Sequence, residues 1–305
     1  MLFIEHPVRV LPIDGRGPED VVVLPGGDLV TGVDDGRILR GGKAGFTLLA
    51  DTGGRPLGIE SAPDGGLIVC DAERGLLRLD PDTGAVTTLV PKPDLGLCDN
   101  AAVAADGTIY FTDSSRRHDL EHYPADVVED VGTGRVLRRS PDGRVDVLHT
   151  GLHFANGIAL SPDGSFLVVA ESGSRALTRV GLDEHRIDTL AANLPGHPDN
   201  VTTSPDGTFW VALPRSRSRV LDTVHHLPRA ARRALARVVR PKTARWTGVV
   251  ELNPAGDIVR GITVPRGRYR SITGVRAHGG RLLLGSLTER GIGVLDLTDS
   301  RKERG

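Results

Sequence analysis

The stretch NGIALSPDGSFLVVAE, residues 156–171, decides the fold. It reads as two short strands joined by a Ser-Pro-Asp-Gly turn, and an Asp-Gly pair between apolar runs is a strong short-range hairpin signal. The first strand reads as wholly buried, yet a polar amide, Asn156, stands at its head.

Working outward, the unit recurs five more times, as EDVVVLPGGDLVTG (19–32), LGIESAPDGGLIVCD (57–71), DNAAVAADGTIYFTD (99–113), DNVTTSPDGTFWVAL (199–213) and TGVRAHGGRLLLGS (273–286). The last turn glycines, Gly27, Gly65, Gly107, Gly164, Gly207 and Gly280, are spaced 38, 42, 57, 43 and 73 residues apart. Six units of about 40 residues, each with two evident strands and room for two more, match the blades of a β-propeller. Outer hairpins fall where they are needed, in LLRLDPDTGAVTTLV (76–90), RVLRRSPDGRVDVLH (135–149) and VVELNPAGDIVRGI (249–262). A two-layer sandwich does not explain a unit that returns six times. The expectation is an all-β, six-bladed propeller of four-stranded blades, one domain over residues 1–305. The opening strand LFIEHPVRVL (2–11) is expected to pair with the last blade and close the ring.

Composition narrows the partners. The chain has 305 residues, 39% of them hydrophobic, which is enough for a large core. A net charge of -1 gives no long-range attraction to nucleic acid or to an anionic membrane, so a small-molecule partner is expected. No apolar run reaches the roughly 18 residues of a membrane span, and MLFIEHPVRVLPID lacks a basic region followed by an apolar stretch. The expected location is cytoplasmic. Cys70 and Cys98 lie in neither a zinc knuckle nor a redox CxxC, and read as two reduced thiols.

Register explains the amide. In a propeller the innermost strand of each blade runs along the central channel, and the residue at its head points into the mouth. Asn156 lies seven residues before Asp163 of its turn. The same count elsewhere reaches Glu19, Leu57, Asp99 and Asp199, and in the shorter sixth unit the matching residue is Thr273. Three carboxylates in one narrow, partly desolvated mouth repel one another unless neutralised. Oxygen-only donors suit a hard cation, calcium first, then magnesium or manganese; no histidine or cysteine in the ring points to zinc. Glu19, Asp99, Asn156 and Asp199 are the expected ligands. The competing reading is that these are polar strand ends hydrogen-bonded to loops and channel water.

Several stretches, FANGIALSPDGSFLVVAES (154–172), LPGHPDNVTTSPDGTFWVAL (194–213), DGTIYFTDSS (106–115) and PLGIESAPDGGLIVCDAERGLL (56–77), resemble the strictosidine synthase-like proteins. These are similar to paraoxonases, gluconolactonases and diisopropylfluorophosphatases, a six-bladed propeller superfamily, and the resemblance runs over residues 15–297. It implies a calcium ion at the mouth, held in the hydrolytic members by a glutamate, two asparagines and an aspartate. Glu19, Asn156 and Asp199 match three of these; Asp99 stands where an asparagine is usual, followed by Asn100. A second, deeper calcium of the paraoxonase type falls by register on Asp20 and Asn100. Strictosidine synthase itself uses a sixth-blade glutamate as its proton shuttle, where this chain has Thr273, which argues against amine–aldehyde condensation. The second-blade histidine of paraoxonase-like members is replaced by Leu57.

What remains is calcium-dependent hydrolysis of a lactone or carboxylic ester, with Asp199 or Asp99 activating water or attacking directly. The alternatives are a non-catalytic, metal-stabilised propeller used for binding, and lyase or condensing chemistry. His153 and His197, close to ring positions, read either as pocket residues or as ordinary loop histidines. Together with Leu57, Thr273 and Trp246 they form the expected pocket.

The two long spacings mark insertions, 114–134 and 214–246. The second contains an amphipathic stretch, 228–240, with Leu227, Ala231, Leu235 and Val238 near one face and Arg229, Arg232, Arg233 and Arg237 on others. It is expected to be helical, its arginines meeting either solvent or an anionic ligand. If both insertions emerge beside the metal, as the resemblance implies, they form a lid that sets specificity.

Overall fold

A computed structural model describes residues 3–183, 186–238 and 246–297. The six repeat units form six blades around a central channel. The innermost strands are Val21–Val23, Pro56–Ser61, Cys98–Val103, Ala155–Leu160, Val201–Thr203 and Ile272–His278. From each, three further antiparallel strands lead outward.

The start of the chain closes the ring, with a refinement of the expected pairing. Arg9–Pro12 is the outer strand of the sixth blade, antiparallel to Gly291–Asp296. Ile4–Glu5 instead lies parallel to Ile258–Thr263, as a fifth strand on the fifth blade. The break falls at Pro7, which has no N–H to continue a ladder.

The blades pack face to face, so most strands are covered on both sides. In Phe166–Glu171, Leu167 and Val169 join Ala102, Tyr110 and Val136 of the third blade. Val168 and Ala170 join Phe209, Val211 and Val250 of the fifth. That two-sided burial is why FLVVA runs apolar without alternating. The closing seam between the last and first blades holds a smaller buried cluster, Val21, Leu29, Leu283, Ile292 and Val294.

Two local devices position the channel mouth. The innermost strands bulge where their ring residues sit: the register shifts between Pro56 and Ile59, Cys98 and Ala101, Ala155 and Ile158, and Ile272 and Val275. A bulge re-aims side chains, here toward the axis. The second device is a buried acid at the end of the second strand of three blades. Asp71 accepts from the Arg55 N–H (2.9 Å), Asp113 from the Gly96 and Leu97 N–H groups (2.9 and 2.7 Å), and Glu171 from the His153 N–H (2.7 Å). Each carboxylate ties down the loop that leads into the ring residue of its own blade, Leu57, Asp99 and Asn156 in turn.

Asp113 is completely buried and also accepts from Arg135 Nε at 2.7 Å. Asp113→Ala strands that guanidinium and two N–H groups, and is expected to cost about 3–5 kcal/mol. Guanidinium denaturation read by circular dichroism checks it.

Candidate functional site

The six ring residues, Glu19, Leu57, Asp99, Asn156, Asp199 and Thr273, are all at most 9% exposed. Five of them, all but Thr273, floor a cavity of about 960 Å³. Thr273 is fully buried, with its hydroxyl donating to the Glu19 carbonyl oxygen (2.8 Å), and it offers the cavity no proton acceptor.

The floor is electrostatically crowded. Glu19 is raised well above the usual carboxylate range, by burial first and then by the charges of Asp199, Asp20 and Asp99. Asp199 is raised in the same way, by burial and by Asp99, partly offset by the Asn200 N–H and the Asn156 amide. Burial pushes Asp99 up to about 7 although Ser114 donates to it. Ser114 Oγ stands 2.6 Å from both Asp99 Oδ2 and the Ala155 carbonyl oxygen, and with one proton it donates to one of them at a time.

Asn156 is the other half of the pattern. Its amide nitrogen donates to Ser172 Oγ (3.3 Å), which itself donates to the Pro198 carbonyl. Its Oδ1 is buried with no partner among the described residues. A buried acceptor left without a donor costs about 1–3 kcal/mol. Among the described residues, no three His, Cys, Asp or Glu side chains converge closely enough to form a ligand cluster by themselves. Glu19 is drawn toward Asn200, whose amide donates to both its oxygens (3.1 and 3.2 Å), and Asp99 toward Ser114. The fit to a hard cation rests on the oxygen-only donor set and on the orphaned amide oxygen.

One residue deeper, the blades alternate. Asp20, Asn100 and Asn200 follow Glu19, Asp99 and Asp199, while Gly58, Gly157 and Gly274 follow Leu57, Asn156 and Thr273. A Cβ on Gly157 would stand 2.4 Å from the Val201 nitrogen, and one on Gly58 2.6 Å from the Asn100 amide nitrogen. The three polar side chains therefore fill the layer. Asn100 donates to Asn200 (2.9 Å), and Asn200 to Glu19, a chain running up to the floor that the register count did not find. Asp20 accepts from the Val21 and Ile59 N–H groups (2.8 and 3.1 Å), and the Arg276 charge opposes the burial that lifts it to about 6. Both Asp20 oxygens accept from backbone N–H groups and Arg276 supplies positive charge nearby, an arrangement that opposes a second ion on Asp20 and Asn100.

Both insertions wall the cavity. The first forms α1, Tyr123–Glu129, with Pro124 in its first turn and Asp130 closing it in the left-handed region at φ 48°. The second forms α2, Arg219–His225, and α3, Arg229–Ala236. Val128 of α1 packs with Leu221, Val224 and Ala236 in a small core of their own. The expected helix over 228–240 is thus shorter, with part of it, Arg240 included, outside the described residues, and α2 was not anticipated. Its faces differ as well: Arg232 is buried against Asp130 (3.3 Å), whereas Val238 is 74% exposed.

His197 lines the cavity, and its Nδ1 donates to the Ser172 carbonyl (2.8 Å). A carbonyl only accepts, so this bond fixes the tautomer that leaves Nε2 as an acceptor. Burial lowers its pKa. His153 and Trp246 lie away from the cavity lining. His153 turns behind α1 to Asp130 (Nδ1 to Oδ1, 2.5 Å), and Trp246 packs on Phe3, ring centroids 4.9 Å apart. Cys70 and Cys98 are buried free thiols. No helix among the described residues is long and apolar enough to cross a membrane.

Comparisons with known proteins bear on this site. The family model "Strictosidine synthase" matches residues 99–185, and "Strictosidine synthase-like, N-terminal" matches residues 8–41. The adipocyte plasma membrane-associated protein of Salmo salar is 34% identical over 92% of this chain and 76% of its own length. Strictosidine synthase-like protein 7 of Arabidopsis thaliana is 36% identical over 65% of this chain and 56% of its own. Among solved structures, a gluconolactonase of Xanthomonas campestris aligns with a TM-score of 0.69 at 20% identity, covering 95% of this chain and 89% of that one. The calcium-binding protein regucalcin of Agrobacterium tumefaciens aligns with a TM-score of 0.68 at 16% identity, covering 97% and 95%. At these identities the two structures speak for the fold alone.

The His153–Asp130 pair, with Arg232 beside it, ties the lid to the third and fourth blades. The Asp130 hydrogen bond raises the His153 pKa above its ordinary value, against desolvation. Because the folded value is the higher one, the stabilisation is complete below the unfolded value of about 6.5 and is lost as pH rises through the folded value. The gap in Tm between wild type and His153→Asn is therefore expected to be wider at pH 6 than at pH 9. Thermal melts at the two pH values test this, and an equal gap contradicts it.

Proposed function

The chain belongs to the strictosidine synthase-like family of six-bladed propellers, and from that premise we propose that it hydrolyses a lactone or carboxylic ester at its channel mouth with a calcium ion as cofactor. The observation that carries the reading is the unpartnered, buried Oδ1 of Asn156 among three crowded carboxylates on the floor of a large cavity. Glu19, Asp99, Asn156 and Asp199 would hold the ion. Bound there, calcium supplies a Lewis acid that polarises a substrate carbonyl and stabilises the oxyanion formed on attack.

The chain's own residues do the rest. Asp99 and Asp199 stay the candidate bases or nucleophiles, and His197 joins them because its tautomer presents a free acceptor. The apolar sides of the cavity, Leu57, Tyr123, Val127 and Phe154 among them, exclude water and hold the body of the substrate. Condensation of an amine with an aldehyde is disfavoured, since buried Thr273 stands where the family enzyme has its glutamate. The gluconolactonase and the calcium-binding regucalcin share this fold, with which a lactonase-type, calcium-binding reading is compatible.

Calcium titrated calorimetrically into chelator-treated protein is expected to bind one ion per chain, to raise Tm, and to restore turnover of a panel of lactones and aryl esters. Asn156→Ala removes a single ligand and is expected to weaken binding by about tenfold or more, while Asp199→Ala abolishes turnover. Binding and a Tm rise without turnover leave a metal-stabilised binding propeller. No binding overturns the cofactor.

A further inference from the structure

The second insertion brings to the cavity the motif RSRSR, residues 215–219, and all five of these residues line it. Arg215 and Ser216 pair as a short strand with Gly196–His197, which fixes the start of the segment beside the floor. Arg215 reaches across to donate to the Tyr123 hydroxyl (3.0 Å), and its charge acts to lower the Asp199 pKa. Arg217 bonds Asp222 through Nε at 2.6 Å, with its side chain still 53% exposed. The other oxygen of Asp222 is taken by Arg175 at 3.1 Å. Among the described residues, the carboxylate paired with this segment, Asp222, is thus shared between two guanidinium groups. Arg219 lines the cavity, exposed; its carbonyl accepts from the Thr223 hydroxyl (2.9 Å), while its guanidinium has no partner among the described residues.

The cavity is therefore bipolar: an acidic floor suited to a cation, an apolar side under α1, and a cationic wall leading outward from the floor. A sugar lactone, hydroxylated all round, would find few donors and acceptors on the apolar side. A neutral apolar ester would leave the guanidinium of Arg219 and the outer donors of Arg217 to solvent alone. We infer that the substrate is an apolar ester or lactone bearing a carboxylate away from the reacting carbonyl, received by Arg219 together with the spare donors of Arg217. This inference rests on the hydrolase reading for the reacting end and adds the chemistry of the remote end. Guanidinium groups suit it because their planar fork pairs with carboxylates. The position also matters: a carboxylate next to the ester would face Glu19, Asp99 and Asp199, whereas one several bonds away reaches the rim.

The test uses the full chain, loaded with calcium, at fixed physiological ionic strength. Two esters of equal chain length are compared, 4-nitrophenyl hexanoate and mono-4-nitrophenyl adipate, which differ in the terminal carboxylate. The ratio of kcat/KM, anionic over neutral, is expected to exceed one in the wild type. Arg219→Glu is expected to lower it by about tenfold, the scale of reversing one part-exposed charge, while Arg219→Lys keeps it above one. A ratio that is the same in the wild type and Arg219→Glu overturns the inference. If neither ester is turned over, the hydrolase reading fails separately. The same ratio is then taken from the calorimetric Kd values of the uncleavable anilides, hexananilide and adipic acid monoanilide. A preference for the adipate anilide that Arg219→Glu removes upholds the anion site. An unchanged preference, or a wild type that binds neither anilide, overturns it.

Discussion

Near the channel axis, neighbouring inner strands come so close that alternate blades carry glycine in the second layer. Gly157 leaves no room for a Cβ beside Val201, nor Gly58 beside Asn100. The space they yield is filled by Asp20, Asn100 and Asn200, and these are joined to the layer above by hydrogen bonds from Asn100 to Asn200 and from Asn200 to Glu19. The mouth thus rests on a packed polar layer, which holds Glu19 buried next to two other carboxylates. Burial raises all three acids, and neighbouring carboxylates add to it, Asp199 and Asp99 for Glu19, Asp99 for Asp199 and Asp113 for Asp99, a cost tolerated at functional sites and seldom elsewhere.

Everything around the mouth serves to keep that arrangement in register. Bulges turn the ring residues inward, and the buried acids Asp71, Asp113 and Glu171 anchor the loops behind them. The insertions then raise walls over a common floor, the first largely apolar and the second carrying both arginines and the apolar residues of α2. Their helices share a core of their own and are tied to the blades through Asp130, His153 and Arg232. The blades supply the floor and the insertions supply walls over it, and under the proposed hydrolysis it is the walls that would select the substrate.

Much of this was legible in the chain. A repeat that returns six times, most copies with Asp-Gly turns in phase, specifies blades, and a fixed count back from the turn reaches five ring positions, the shorter sixth turn reaching Thr273; four of the six inner strands bulge at that place. The asparagine chain of the second layer was harder to see, since Asn100 and Asn200 are 100 residues apart and their bond exists only once the ring is closed. The clamping acids had a visible signal, the acid ending LIVCD, IYFTD and FLVVAE, that register with the loops alone explains. His153 and Trp246 were misplaced for a different reason. Closeness in sequence to a ring residue or a lid says nothing of which way a side chain turns, and each found a better partner away from the cavity, Asp130 and Phe3. The lid helices follow insertion packing rather than helical periodicity, so Arg232 goes in and Val238 comes out.

On the proposed reading, the orphaned amide oxygen of Asn156 and the carboxylates beside it belong to one cation. Crystals grown with manganese as a calcium substitute, and measured for anomalous scattering, address it most directly. The account expects a single strong peak at the channel mouth, about 2.0–2.6 Å from Asn156 Oδ1 and from carboxylate oxygens of Glu19 and Asp199. A channel mouth without a peak, with Asn156 Oδ1 bonded to a protein donor or to water alone, would contradict it.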